Sequence, residues 1–218
     1  MVSPRINLSL YVILDRSLAR GRSLVQIADQ AVQGGATCIQ VREKDMSSRE
    51  LYLLSLQLRE LTRKRNVPLI INDRLDIALA VKADGVHLGQ DDLPAEAARR
   101  IISSNMILGV SAENVQQALE AQKAGASYLG VGAIYATSTK PDAGDPIGLK
   151  ALSSICSKVD IPVVGIGGIH AGNARQVIEA GARGVAVISC IVAAEQVRDA
   201  AGEVDRQVHE ALNMQGRL

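Results

Sequence analysis

Short runs of aliphatic and β-branched residues recur along the chain, each closed by turn formers and followed by a stretch whose apolar positions repeat at helical spacing. Residues 8–14 read as a buried strand. Leu24, Ile27, Ala28, Ala31 and Val32 then share one helical face, which Gly34 and Gly35 end. Residues 37–42 form the second strand, Ser47 or Ser48 caps a helix over 49–63, and Asn66, Val67 and Pro68 turn into a third strand ending at Ile71. The pattern continues with a helix over 74–82, a strand over 85–88, a helix opened by Pro94 and running to Ile102, and a strand over 107–111. Asn114 caps a helix to Ala124, a sixth strand covers 127–132, and a loop rich in Gly, Pro and Asp over 137–146 leads into a helix over 149–157. Strands over 163–166 and 184–189, the helix between them that ends at Ala180-Gly181, and a helix over 193–212 close the chain, for a count of eight strands and eight helices.

Small residues recur at a fixed place in this alternation. Gly35-Ala36, Ala83-Asp84-Gly85, Ala124-Gly125-Ala126 and Ala180-Gly181-Ala182 all fall where a helix ends and an even-numbered strand begins, allowing a tight C-cap and close packing of helix on strand. Units of about 27 residues suit an α/β, single-domain (β/α)8 TIM barrel over 1–218, a fold that accepts about 200 residues upward. An open doubly wound sheet would carry a G-x-G-x-x-G turn after its first strand, and residues 15–22 have none.

Composition narrows the function. With 218 residues, 47% apolar and 22% charged, the chain can bury a full core. Its 24 Lys and Arg nearly balance 23 Asp and Glu, Phe and Trp are absent and there are four Tyr, so it lacks the basic excess and stacking platforms of a nucleic-acid binder. Cys38, Cys156 and Cys190 are odd in number and far apart, which reads as reduced thiols of a cytoplasmic protein. The apolar run at 8–14 stops at Asp15, too short for a signal peptide or a membrane span.

Candidate chemistry gathers at strand ends, the edge where such barrels work. Asp73 and Asp92 follow successive strands, and a pair of carboxylates there suits a hard cation such as Mg²⁺, held with phosphate oxygens; taken singly, each reads equally well as a helix N-cap. Strand alternation puts Ile39 and Val41 on the helix side and Gln40 and Arg42 inside, so Arg42 needs an anionic partner: a ligand phosphate, or Glu43 or Asp73. His87 reads as a satisfied interior histidine. Thr137, Ser138, Thr139 and Lys140 offer hydroxyls and an ammonium suited to phosphate, though such loops are also ordinary surface turns. Gly165, Gly167 and Gly168 after the seventh strand, and Ile188 and Ser189 at the eighth, expose backbone N–H groups where these barrels bind phosphate.

The segments Gln40-Val41-Arg42-Glu43-Lys44, Asn72-Asp73-Arg74, Asp84 through Asp92, Thr137-Ser138-Thr139-Lys140 and Gly167-Gly168-Ile169 closely resemble the thiamine phosphate synthase family, in order and across Tyr11 to Ser189. The resemblance implies a TIM-barrel transferase of thiamine biosynthesis. It would join 4-amino-2-methyl-5-hydroxymethylpyrimidine diphosphate to 4-methyl-5-(2-phosphoethyl)thiazole, or its 2-carboxy form, releasing diphosphate with Mg²⁺. Carried over by position, Gln40, Val41, Arg42, Glu43, Lys44, Asn72, Ser111 and Lys140 hold the pyrimidine diphosphate, with Arg42, Lys44, Ser111 and Lys140 as the catalytic set. Asp73 and Asp92 bind Mg²⁺; Thr137, Ser138, Thr139, Gly168, Ile188 and Ser189 hold the thiazole phosphate. The partners so implied are two small molecules, with no nucleic acid and no membrane, and association into a homo-oligomer is left open. Two other readings stand beside it: a thiazole tautomerase of the same fold, and a non-catalytic phosphate-binding barrel.

Overall fold

Each apolar run flanked by turn residues becomes a strand buried on both faces, as parallel pairing under a helical layer demands. In the computed structural model, which describes residues 6–137, 139 and 144–216, these strands are β1 (Leu10–Leu14), β2 (Cys38–Val41), β3 (Leu69–Asn72), β4 (Gly85–Leu88), β5 (Ile107–Ala112), β6 (Tyr128–Val131), β7 (Val163–Ile166) and β8 (Gly184–Val187). They pair in parallel and in sequence order, and β8 closes on β1 through Leu10 opposite Val185. The result is the expected (β/α)8 barrel.

The helices between strands are α1 (Leu24–Gln33), α2 (Ser48–Arg65), α3 (Leu75–Ala80), α4 (Ala95–Ile101), α5 (Val115–Lys123), α6 (Gly148–Cys156) and α7 (Ala174–Glu179), followed after β8 by α8 (Ser189–Val192) and α9 (Val197–Met214). Ser47 starts α2 with a reciprocal capping box to Glu50, and Asn114 caps α5 by accepting from Gln117 N at 3.0 Å. Gly35, Gly125 and Gly181 all take positive φ at the helix ends, as the repeat predicts. The fourth unit differs: Lys82 takes the left-handed conformation, and Gly85 is small because a Cβ there would lie 2.6 Å from Ile107 O.

Two expectations near the end of the chain are corrected. Ser189 does not end β8 but opens the separate helix α8, and the closing helix begins at Val197 rather than at residue 193. Arg22 fits this break, its guanidinium donating to Ala194 O and Val192 O, both at 2.6 Å. The fork satisfies carbonyls that the end of α8 leaves without intrahelical partners.

The cross-strand register also sets what faces the interior. His87 pairs with Gly109 and Gly109 with Tyr128, while Asn72 pairs with His87 and Ser111 with Gly130. Partners on neighbouring strands face the same side, so these residues share the barrel interior below one mouth.

Candidate active site

At the carboxyl ends of the strands lies a cavity of about 600 Å³. Arg42, Lys44, Asn72, Asp73, His87, Asp92 and Ser111 line one side, and Thr137, Thr139, Gly168, Ile188 and Ser189 line the other. Ser138 and Lys140 lie outside the described residues.

Neither carboxylate is a helix cap. The cap positions of α3 and α4 are Arg74 and Pro94, and neither helix has a side-chain cap. Asp73 instead sits at φ 61° with its backbone N donating to His87 O at 2.8 Å, a left-handed turn that projects its side chain off the end of β3. The Asp92 side chain folds back to accept from Gly89 N at 2.6 Å. The two carboxyls lie side by side, and burial, then Asp92 itself, raise Asp73 to about 6 against the pull of Lys44 and Arg42. Two neighbouring carboxyls beside basic groups suit a hard cation that shares its shell with water and phosphate. No group of three or more His, Cys, Asp or Glu among the described residues is arranged for a metal, so the pair is the candidate.

Arg42, 7% exposed, acts by its charge on both Glu43 and Asp73. It pairs with Asp15 at 3.4 Å, where the chain leaves β1. Asp15 in turn accepts from Ser17 N at 3.0 Å, which fixes it for that role. Glu43 accepts from Arg16 N at 2.6 Å, and burial raises its pKa. Gln40, Val41 and Glu43 do not line the cavity. Val41 lies on the helix-facing side of β2; Gln40 points into the barrel, donating to Tyr11 Oη at 2.7 Å.

On the far side, Thr139 Oγ1 donates to Ser189 Oγ at 3.4 Å, joining the loop after β6 to the start of α8. Gly168 holds φ 64°, and a Cβ there would lie 2.7 Å from Ala136 O, so only glycine fits. Cys190 also lines the cavity, but burial pushes its thiol up to about 11, which leaves it unreactive. His87 is satisfied, by Tyr128 Oη at 2.9 Å and Ser111 Oγ at 3.0 Å.

Sequence reasoning missed Asp15, the two interior tyrosines, and Gln90 and His170, which line the cavity. Asp15 stood at the end of the first strand, the same signal that marked Asp73. Gln90, which donates to Ser111 O at 2.6 Å, lay inside a motif read for its aspartates. The tyrosines had no sequence signal, because their partners lie on strands far away in the chain.

A parallel barrel whose mouth combines a carboxylate pair, an arginine and a lysine, and a hydroxyl- and glycine-rich rim belongs to the class of phosphate-handling (β/α)8 enzymes. Comparison with known proteins narrows the class. A family model described as thiamine monophosphate synthase matches residues 10–191. Curated thiamine-phosphate synthases from Chloroflexus aurantiacus and Clostridium novyi are 55% and 50% identical over 195 residues, covering 89% of this chain and 90% and 96% of theirs. A solved thiamine phosphate pyrophosphorylase from Pyrococcus furiosus superposes with a TM-score of 0.87 at 46% identity, over 94% of this chain and 98% of that one. The chain belongs to the thiamine monophosphate synthase family, and it is an enzyme that makes thiamine phosphate by the condensation this implies.

Proposed function

We propose that the two sides of the cavity divide the two substrates, and that diphosphate leaves the pyrimidine before the thiazole nitrogen attacks. The observation that carries this is the closeness of Asp73 and Asp92 beside Lys44 and Arg42: a cation site and cationic side chains focused on one place. Arg42, Lys44, Asn72 and Ser111 would hold the diphosphate end, joined by Lys140 on the strength of the family likeness. Gln40, Val41 and Glu43, which do not line the cavity, would serve the pyrimidine diphosphate by keeping the β2 strand end in place. Asp73 and Asp92 would bind Mg²⁺, which when bound supplies positive charge to the leaving diphosphate.

Arg42 enters the reaction already oriented, because Asp15 fixes its guanidinium and little rearrangement accompanies charge development. Thr137, Ser138, Thr139 and the backbone N–H groups near Gly168, Ile188 and Ser189 would hold the thiazole phosphate. Anchoring both substrates by their phosphates aligns nitrogen and carbon, an effect worth about 7 to 11 kcal/mol at best. The protein would work on these two small molecules in the cytoplasm, as one domain over 1–218.

The test is product analysis with and without chelator. Thiamine phosphate and diphosphate should appear in equal amounts and only with a divalent cation. Turnover of the thiazole alone, with no diphosphate and no response to chelator, would instead identify a tautomerase.

A further inference from the structure

A line of hydrogen bonds crosses the barrel interior beneath the cavity. Gln40 Nε2 donates to Tyr11 Oη at 2.7 Å, and Tyr11 Oη meets Tyr128 Oη at 2.8 Å. Tyr128 Oη meets His87 Nδ1 at 2.9 Å, and His87 Nε2 meets Ser111 Oγ at 3.0 Å. Five strands contribute one residue each, and only His87 and Ser111 reach the cavity. Barrel interiors are ordinarily filled by branched apolar side chains, so a polar chain here is an exception.

The surrounding strands are shaped to hold it. A Cβ on Gly109 would overlap the Tyr128 ring and lie 2.5 Å from His87 Nδ1. A Cβ on Gly130 would lie 3.0 Å from His87 Cε1. Two interior positions are therefore left without side chains so that the two rings can meet, their centroids 5.6 Å apart.

Proton supply gives the line a direction. The Gln40 NH₂ can only donate, so Tyr11 accepts there and turns its own proton to Tyr128. Tyr128, now an acceptor from Tyr11, turns its single proton to His87 Nδ1. A neutral imidazole that accepts at Nδ1 carries its proton on Nε2. Nε2 then donates to Ser111 Oγ, and the serine proton is left pointing elsewhere. The mutual effect of the two phenols agrees, since their shared bond raises Tyr11 and lowers Tyr128.

We propose that Tyr11, Tyr128 and His87 are positioning residues, a one-way hydrogen-bond chain that keeps His87 in its Nε2–H tautomer and so presents the Ser111 hydroxyl proton to an anionic oxygen in the cavity. With the opposite order, Ser111 would give its proton to His87 and face a phosphate with lone pairs alone. The proposal deepens the reading that Ser111 serves the diphosphate and rests on it for the identity of the anion. The tautomer itself can be tested without that reading.

The chain has three histidines, so ¹⁵N NMR of the imidazoles is simple to assign with a His87→Gln variant. We expect Nε2 protonated and Nδ1 as a hydrogen-bonded acceptor in the wild-type protein. Tyr128→Phe keeps the ring and removes the hydroxyl, and should move the Nδ1 signal to that of an unbonded nitrogen. Should that variant fail to fold, Tyr11→Phe gives a second measurement, with a smaller shift of the same signal. Binding of inorganic diphosphate with Mg²⁺, by calorimetry, should weaken about tenfold in Ser111→Ala and about three- to tenfold in Tyr128→Phe. The double variant should be no weaker than Ser111→Ala alone, because both act through one hydroxyl. A protonated Nδ1 in the wild type, or losses that multiply in the double variant, overturns the chain. The expected tautomer together with unchanged diphosphate binding in Ser111→Ala would overturn the assignment of Ser111 to diphosphate, and leave the proton order standing.

Discussion

Asp73 shows how position changes the meaning of one residue. In water a carboxyl titrates near 3.8, but burial and the neighbouring Asp92 carry this one to about 6. A raised carboxyl pKa stabilises the folded chain below 3.8, and that contribution is lost as pH rises through about 6. Protein stripped of metal should accordingly melt at lower temperature at pH 7 than at pH 5 from this group, and Mg²⁺ should restore the loss at pH 7. Scanning calorimetry at both pH values, with and without Mg²⁺, checks it; a metal effect equal at both would count against the carboxylate pair. Asp92→Ala removes one member of the pair without touching the opposite rim. Turnover should fall by about 10² to 10³ or more, while thiazole phosphate affinity stays within about twofold. Combining it with Lys140→Ala should cost less than the product of the two single losses if both groups serve one leaving group.

At the scale of elements, the strand ends carry the site and the helix starts carry stability. Gly168 ends the β7 loop at φ 64° against Ala136 O, so Gly168→Val forces both a strained backbone and a clash. Thiazole phosphate binding should weaken by at least tenfold with pyrimidine diphosphate binding nearly unchanged. Equal losses for both would mean that the loop supports the whole mouth. Ser47 and Glu50, the α2 capping box, do not line the cavity: Ser47 Oγ lies 3.3 Å from Glu50 N and 2.6 Å from Glu50 Oε2. Ser47→Ala should therefore lower unfolding free energy by about 1 kcal/mol and leave kcat unchanged. Chemical denaturation alongside a steady-state assay separates the two effects. The boundary of α8 belongs to this scale too. The sequence read a strand through Ser189 and a helix from 193, whereas a guanidinium from far up the chain satisfies the carbonyls between two separate helices.

For the whole molecule, alternation of apolar strands and amphipathic helices was enough to imply the barrel. Parallel strands need crossovers, crossovers are right-handed, and eight such units close on themselves. The strand-end carboxylates, Arg42 and the glycine-rich loops were legible for the same reason, since a parallel barrel puts every strand's carboxyl end at one mouth. Arg42's pairing with Asp15 was not legible. Glu43 and Asp73 were the sequence candidates, yet the guanidinium reaches Asp15 across the β1–β2 seam, a distance no spacing rule encodes. The line from Gln40 to Ser111 was equally hidden, because Tyr11 and Tyr128 are 117 residues apart and meet only through the closed register. Local periodicity determined which segments are strands and helices and which residues stand at their ends, because those depend on neighbours within a few positions. Tertiary structure alone decided which buried polar group meets which, since each such pair is set by where the barrel closes.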